Sequence, residues 1–246
     1  PWFYGYDYTN KKLNLNIDQI RCLKPPVKDK VMSVITSQKS FMPDHQRRLN
    51  FINELKKRYD NKIDFYGHGG KELKDKAEGI NSYKFHLCFE NSSSNTYWTE
   101  KLMDPILGYS VPVYYGCKNI ETFFEKGIIK IDLNDFDNSL IEIDNILSNS
   151  EFIYEKMKPD LVVNRNKILN KLNLISFIND FFLDNVKGQI LSVNSITIKS
   201  FNSFKINNYL NFALRFQRLY GKTISQINYK IKYEGSNISR RFRNKA

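Results

Sequence analysis

An α/β domain built on a parallel sheet with flanking helices is the fold class the sequence predicts, followed by a basic, partly helical C-terminal extension. Three observations predict it. From about residue 30 to residue 150, short apolar, β-branched runs alternate with segments whose apolar residues recur at helical spacing. The 246-residue chain is 41% hydrophobic and 14% aromatic, enough apolar surface to close a core. The net charge of +12 is unevenly placed: residues 199–246 hold eleven Lys and Arg against one acidic residue, Glu234, so the end of the chain is built differently from the rest. The division that follows is residues 1–30 as a linker, 31–185 as the domain and 186–246 as the extension.

Each element has its own signal. The stretch DKVMSVITS (29–37), after the charged and proline-containing KPPVKDK, reads as the first strand. Asp44 is placed to cap a helix in HQRRLNFINELKKRY, where Leu49, Ile52, Leu55 and Tyr59 recur at helical spacing. KIDFY (62–66) is a second strand ended by Gly67, GHGG (67–70) a turn, and KELKDKAEGI (71–80) a short helix. YKFHLCFE (83–90) is the third strand. Thr99 caps a helix through EKLMDPILGY (100–109), which Pro105 bends or confines to short turns. SVPVYY (110–115) is the fourth strand, closed by Gly116; NIETFFEK (119–126) is helical and GIIKIDL (127–133) is the fifth strand. NSLIEIDNILSN (138–149) is a helix with Leu140, Ile143 and Leu147 on one face. Residues 150–185 read as helical, with Ile168, Leu172, Ile175 and Ile178 to Phe182 packing back on the domain.

Composition excludes several classes. No apolar run approaches the ~20 residues of a membrane-spanning helix, and PWFYGYDYTN has neither the basic start nor the long apolar stretch of a signal peptide. Cys22, Cys88 and Cys117 are odd in number and form no Cys-x-x-Cys pair, which reads as reduced thiols and a cytoplasmic setting. The basic tail carries no nucleic-acid reader motif, so nucleic acid is not an expected partner. Within it Tyr209, Phe212, Ala213, Phe216, Leu219 and Tyr220 recur at helical spacing around Arg215 and Arg218. That pattern suits an amphipathic basic helix on an anionic membrane surface, peripheral on the inner face, or a solvated helix with a frayed end.

The chemistry concentrates in FENSSSNTYWTEKL (89–102). In a parallel α/β sheet, ligands bind beyond the carboxyl ends of the strands, and this loop lies between a strand and a helix start. Peptide N–H groups after Thr99 and the Lys101 ammonium suit an anionic phosphate, while the Glu100 carboxylate suits sugar or ribose hydroxyls. A cation, a carboxylate and several small polar groups together point to a nucleotide sugar. Thr-Glu at a helix start is also ordinary capping, and spacing alone favours that reading.

The ordered run YKFHLCFENSSSNTYWTEKLMDPILGYSVPVYYGCKNIETFF (83–124) resembles the donor-binding signature of the α-1,3/1,4-fucosyltransferases, glycosyltransferase family 10. Upstream, HQRRLNFINELKKRYDNKIDFYGHG (45–69) is similar to the family's arginine-bearing helix and the turn after it. The resemblance implies a Rossmann-like domain, the C-terminal half of a two-domain (GT-B) enzyme that binds GDP-fucose and transfers fucose to an acceptor oligosaccharide hydroxyl with inversion. It places Arg48 and Lys101 on the donor diphosphate, with Arg47 the alternative to Arg48 by one residue of register. It places Asn91, Tyr97 and Glu100 at further donor contacts. No cofactor is implied; Asp135 and Asp137 have the Asp-x-Asp form that holds a divalent metal in another transferase architecture, but the stretch is Asp- and Asn-rich and a metal is not indicated. The family's catalytic base belongs to a separate acceptor domain, and only about 30 residues precede the first strand here. The expectation is therefore a fragment of a two-domain enzyme, with residues 1–30 the remnant of that missing domain, or else a reduced relative that binds the donor without full catalysis. His68 is a further candidate for the donor, and His45 and His86 are expected to be structural.

Overall fold

The computed structural model describes residues 2–7, 9–37, 43–67 and 70–185. His68 and the whole basic extension, 186–246, lie outside the described residues, so the expectations placed on them go no further here.

Five parallel strands form the central sheet: β3 (Lys30–Thr36), β4 (Ile63–Gly67), β5 (Tyr83–Phe89), β6 (Val111–Tyr115) and β7 (Ile129–Lys130), in the order β4-β3-β5-β6-β7. The register sets Met32 opposite Phe85, Val34 opposite Leu87, and Phe85 and Leu87 opposite Val111 and Val113. All six are buried, the near-continuous apolar reading of strands covered on both faces. Pro112 is tolerated in β6 because β7 pairs with that strand only from Val113 onward, so the missing N–H breaks no bond to β7.

Helix α2 (Pro43–Tyr59) crosses from β3 to β4 and buries Phe51, Ile52, Leu55 and Tyr59. It begins one residue before Asp44, which corrects the expected cap: Asp44 sits in the first turn, where its carboxylate favours the helix dipole and pairs with Arg47. Helix α3 (Glu100–Leu107) starts at the N-cap Thr99 and contains Pro105 without breaking, while α4 (Phe136–Ser148) buries Leu140, Ile143 and Ile146. Helix α5 (Ser150–Asn170) buries Tyr154, Leu161 and Ile168, and its buried Arg165 donates to the Leu107 and Ile20 carbonyls and lies over the Tyr109 ring.

Four local expectations are corrected. Residues 71–80 form only a 3₁₀ turn at Lys76–Gly79, because Lys71 and Asp75 instead bridge to Tyr66 and Asp7. Residues 119–126 likewise give only a 3₁₀ turn at Ile120–Thr122. Strand β7 is two residues long; the Asp132 N–H goes to the Ser139 hydroxyl, turning the chain into α4. In α6 (Leu174–Asn185), Ile175 is 75% and Ile178 41% exposed, so these two do not pack back on the domain as expected, whereas Ile168 and Leu172 do.

The first residues are also more than a linker. A two-strand ribbon, β1 (Tyr6–Asp7) with β2 (Lys12–Leu13), precedes α1 (Ile17–Cys22), whose start is fixed by the reciprocal Asn16–Gln19 capping box. Tyr4 and Ile20 are buried in the same core as the sheet.

Candidate functional site

Numbered among themselves, the sheet strands run 2-1-3-4-5, a doubly wound order whose switch point lies between β3 and β5. Connections leave these neighbours toward opposite sides, so a crevice opens beyond their carboxyl ends. A cavity of about 480 Å³ occupies it, lined by Ile35, Thr36 and Ser37 from the end of β3 and by Leu87, Cys88 and Phe89 from the end of β5. Arg48, Asn91, Glu100 and Lys101 belong to its polar wall, together with Lys76, His86 and Asp104.

Arg48 projects from the second turn of α2 and is 4% exposed. Its guanidinium donates to the Asn91 side-chain oxygen at 3.2 Å and to the Ser37 carbonyl at 3.1 Å. Burial draws it down from the usual arginine range. Arg47, the alternative by register, turns away to Asp44 and the Tyr115 hydroxyl and does not line the cavity. Helical rotation decides between the two: neighbours in sequence point about 100° apart.

Lys101 belongs to the first turn of α3. Its ammonium lies 3.2 Å from the Thr99 hydroxyl, 3.3 Å from Glu100 and 3.4 Å from Glu90. Burial raises the Glu100 carboxyl, but Lys101 and then Lys76 outweigh it, and the group is held below the ordinary glutamate value. Glu100 is thus an ionised acceptor beside two cations.

The small polar loop has a structural task as well. Ser93 donates to the Gly116 carbonyl at 2.9 Å, the Lys118 N–H to the Ser94 carbonyl at 3.1 Å, and the Thr96 N–H to Asn119 at 2.8 Å. Short side chains let the loop lie flat against the segment after β6, and Trp98 pins its end edge-on to Phe123 and Phe124. Tyr97 is 38% exposed and is not part of the cavity wall, so it is not brought to Arg48, Asn91, Glu100 and Lys101.

Three participants were missed from sequence. Glu90, fully buried, accepts from the Thr99 N–H at 2.8 Å and from its hydroxyl, and burial raises its carboxyl despite Lys101 and Thr99. Asp104 is buried under the cavity and paired with Lys76, which lines it. An acid within the apolar LMDPIL was the available signal, since such residues are buried only when paired; nothing marked Lys76. Asp135 caps α4 through the Asn138 N–H, and among the described residues no group of His, Cys, Asp and Glu is arranged to hold a metal. His86 is buried against Ser33, its pKa pushed down to about 3 by burial and then by Lys76 and Lys28, which keeps it neutral.

Comparison with known proteins fits this geometry to a family. Over residues 25–157, more than half the chain, the sequence matches the family described as glycosyltransferase family 10 (fucosyltransferase) C-term. It is 34% identical over 73 residues to alpha-(1,3)-fucosyltransferase FucT of Helicobacter pylori, covering 29% of this chain and 15% of that one. It is 31% identical over 94 residues to alpha-(1,3)-fucosyltransferase B of Drosophila melanogaster, covering 37% of this chain and 21% of the other. The match to human 4-galactosyl-N-acetylglucosaminide 3-alpha-L-fucosyltransferase 9 is 38% over 94 residues, covering 37% and 25%. The matched segments thus span at most a quarter of these relatives' own lengths. A crystal structure of an alpha1,3-fucosyltransferase with GDP-fucose is similar at 22% identity and a TM-score of 0.45, covering 61% of this chain and 50% of that one. With the family match running through β3 to β7 and every residue of the cavity's polar wall, this chain belongs to glycosyltransferase family 10, the fucosyltransferases.

Proposed function

We propose that this chain supplies the donor side of an inverting fucosyl transfer, binding GDP-fucose in the β3–β5 crevice and presenting its sugar to an acceptor glycan hydroxyl. The observation that carries the reading is the meeting of Arg48 and Lys101, from different helices, on one cavity wall at the switch point of the sheet. Family membership and the names of the similar fucosyltransferases support fucose as the transferred group.

The chemistry follows from charge. When the bond between the anomeric carbon and GDP breaks, negative charge grows on the leaving β-phosphate while the sugar becomes oxocarbenium-like. Cations fixed beforehand stabilise that state without reorganising. Arg48 is held by Asn91 and Ser37, and Lys101 by Thr99, Glu90 and Glu100, so neither has to be ordered by the ligand. Glu100 accepts from ribose or fucose hydroxyls, and Asn91 adds a neutral contact beside Arg48. The acceptor's proton goes to a carboxylate base on the acceptor side, outside this set of residues.

Isothermal titration of GDP against the parent protein and the Arg48→Ala and Lys101→Ala variants tests the reading, with circular dichroism confirming that each variant folds. Each substitution is expected to weaken GDP at least about tenfold, the worth of one charge-assisted hydrogen bond. Unchanged affinity in both folded variants refutes it.

A further inference from the structure

The 3₁₀ turn Lys76–Gly79, fixed at its start by the Asp75 side chain accepting from the Ala77 N–H, brings a lysine to the wall of the same cavity. The Lys76 ammonium donates to one oxygen of Asp104 at 2.7 Å. The other Asp104 oxygen accepts from the Phe3 and Tyr4 N–H groups at 2.8 and 3.0 Å, so this carboxylate, 1% exposed, is satisfied on both sides. The Phe3 ring lies 5.1 Å from the ammonium and lines the cavity too.

An ammonium has three donors. Asp104 takes one, and the Lys76 side chain, 15% exposed, still reaches the cavity. Its field is felt across the space: it helps hold Glu100 in its ionised form, after Lys101. Arg48, Lys76 and Lys101 therefore face one cavity from three separate elements, α2, the 3₁₀ turn and α3, and Glu100, Asp104 and Glu90 stand behind or between them. Three cations backed by three carboxylates keep the protein's own electrostatic strain low while leaving donors for an anionic ligand. Lys76 and its partner Asp104 both line the cavity, and the carboxylate engages only one of the three ammonium donors.

We propose that Lys76 is a third ligand-binding cation of this cavity, donating to an anionic oxygen of the bound diphosphate, with Asp104 as the residue that positions it. This rests on the reading of the cavity as a nucleoside-diphosphate site.

The test must avoid leaving Asp104 buried and unpaired, which alone can unfold a protein. The double variant Lys76→Met/Asp104→Asn removes both charges and keeps an oxygen to accept from Phe3 and Tyr4. Lys76→Gln, which retains a neutral donor to Asp104, is the second arm if the double variant fails to fold. Titrations with GDP at low and high salt and with guanosine, beside melting temperatures, provide the readout. We expect folded variants to bind GDP about tenfold more weakly, with a shallower salt dependence and unchanged affinity for guanosine. A variant that folds and binds GDP like the parent overturns the role of Lys76, as does an equal loss toward guanosine. If GDP binding by the parent is already insensitive to Arg48→Ala and Lys101→Ala, the underlying site reading has failed; if it is sensitive to those and indifferent to Lys76→Gln, only this inference has.

Discussion

Glu90 and Thr99 lock the end of β5 to the start of α3: the Thr99 N–H donates to one Glu90 oxygen at 2.8 Å, and the Thr99 hydroxyl lies 3.0 and 2.9 Å from the two. The same hydroxyl accepts from the Lys101 N–H as the helix cap. One threonine thus satisfies a buried carboxylate and fixes where the lysine emerges. Thr99→Val should cost about 2–3 kcal/mol, the loss of a cap plus a donor to a buried acid, and should weaken GDP. Thr99→Ser should stay close to the parent. Urea denaturation and GDP titration of the two variants check this; equal stability of the Val and parent proteins would show that the lock is incidental.

Arg47 serves as an internal control for Arg48. Its guanidinium is engaged by Asp44 and the Tyr115 hydroxyl, off the cavity wall. Arg47→Ala should leave GDP affinity within about twofold while Arg48→Ala weakens it at least about tenfold. Equal losses would mean that α2 as a whole, and not the turned-in arginine, carries the binding.

His86 should make the fold acid-sensitive. Its pKa is about 3 in the native protein, against 6.5 when exposed. Above pH 6.5 it is neutral in both states and contributes no pH dependence. Below that, the unfolded chain takes up a proton that the native state does not, so stability falls by about 1.4 kcal/mol per pH unit toward pH 3. Chemical denaturation from pH 7 to pH 4 should show a smaller decline in His86→Asn than in the parent. Parallel declines would place the acid sensitivity elsewhere.

Gly116 is required by the same lock. A Cβ there would lie 2.4 Å from the Glu90 Cγ and 2.5 Å from the Tyr114 hydroxyl, which accepts from the Cys117 N–H. Neither neighbour is free to move, since both are buried and hydrogen-bonded. Gly116→Ala should destabilise by about 1–3 kcal/mol, as overpacking does, and should weaken GDP through the displaced carboxylate. A variant with the parent's melting temperature would show that the segment after β6 yields more easily than its packing implies.

Pattern along the chain was enough for the alternation of strands and helices, because apolar periodicity is local and both faces of a parallel sheet must be covered. It also determined the ordered motif from Tyr83 to Phe124, and with it the family and the candidates Arg48, Asn91, Glu100 and Lys101. Tertiary structure decided what depends on residues far apart in the chain. It chose Arg48 over Arg47, left Tyr97 off the cavity wall, reduced two expected helices to 3₁₀ turns, and left Ile175 and Ile178 exposed. It alone joined Lys76 to Asp104 and Asp104 to the peptide groups of Phe3 and Tyr4, about a hundred positions away. The physical reason is that propensity and spacing act over a few residues, whereas a buried charge is placed by whichever partners the fold delivers to it.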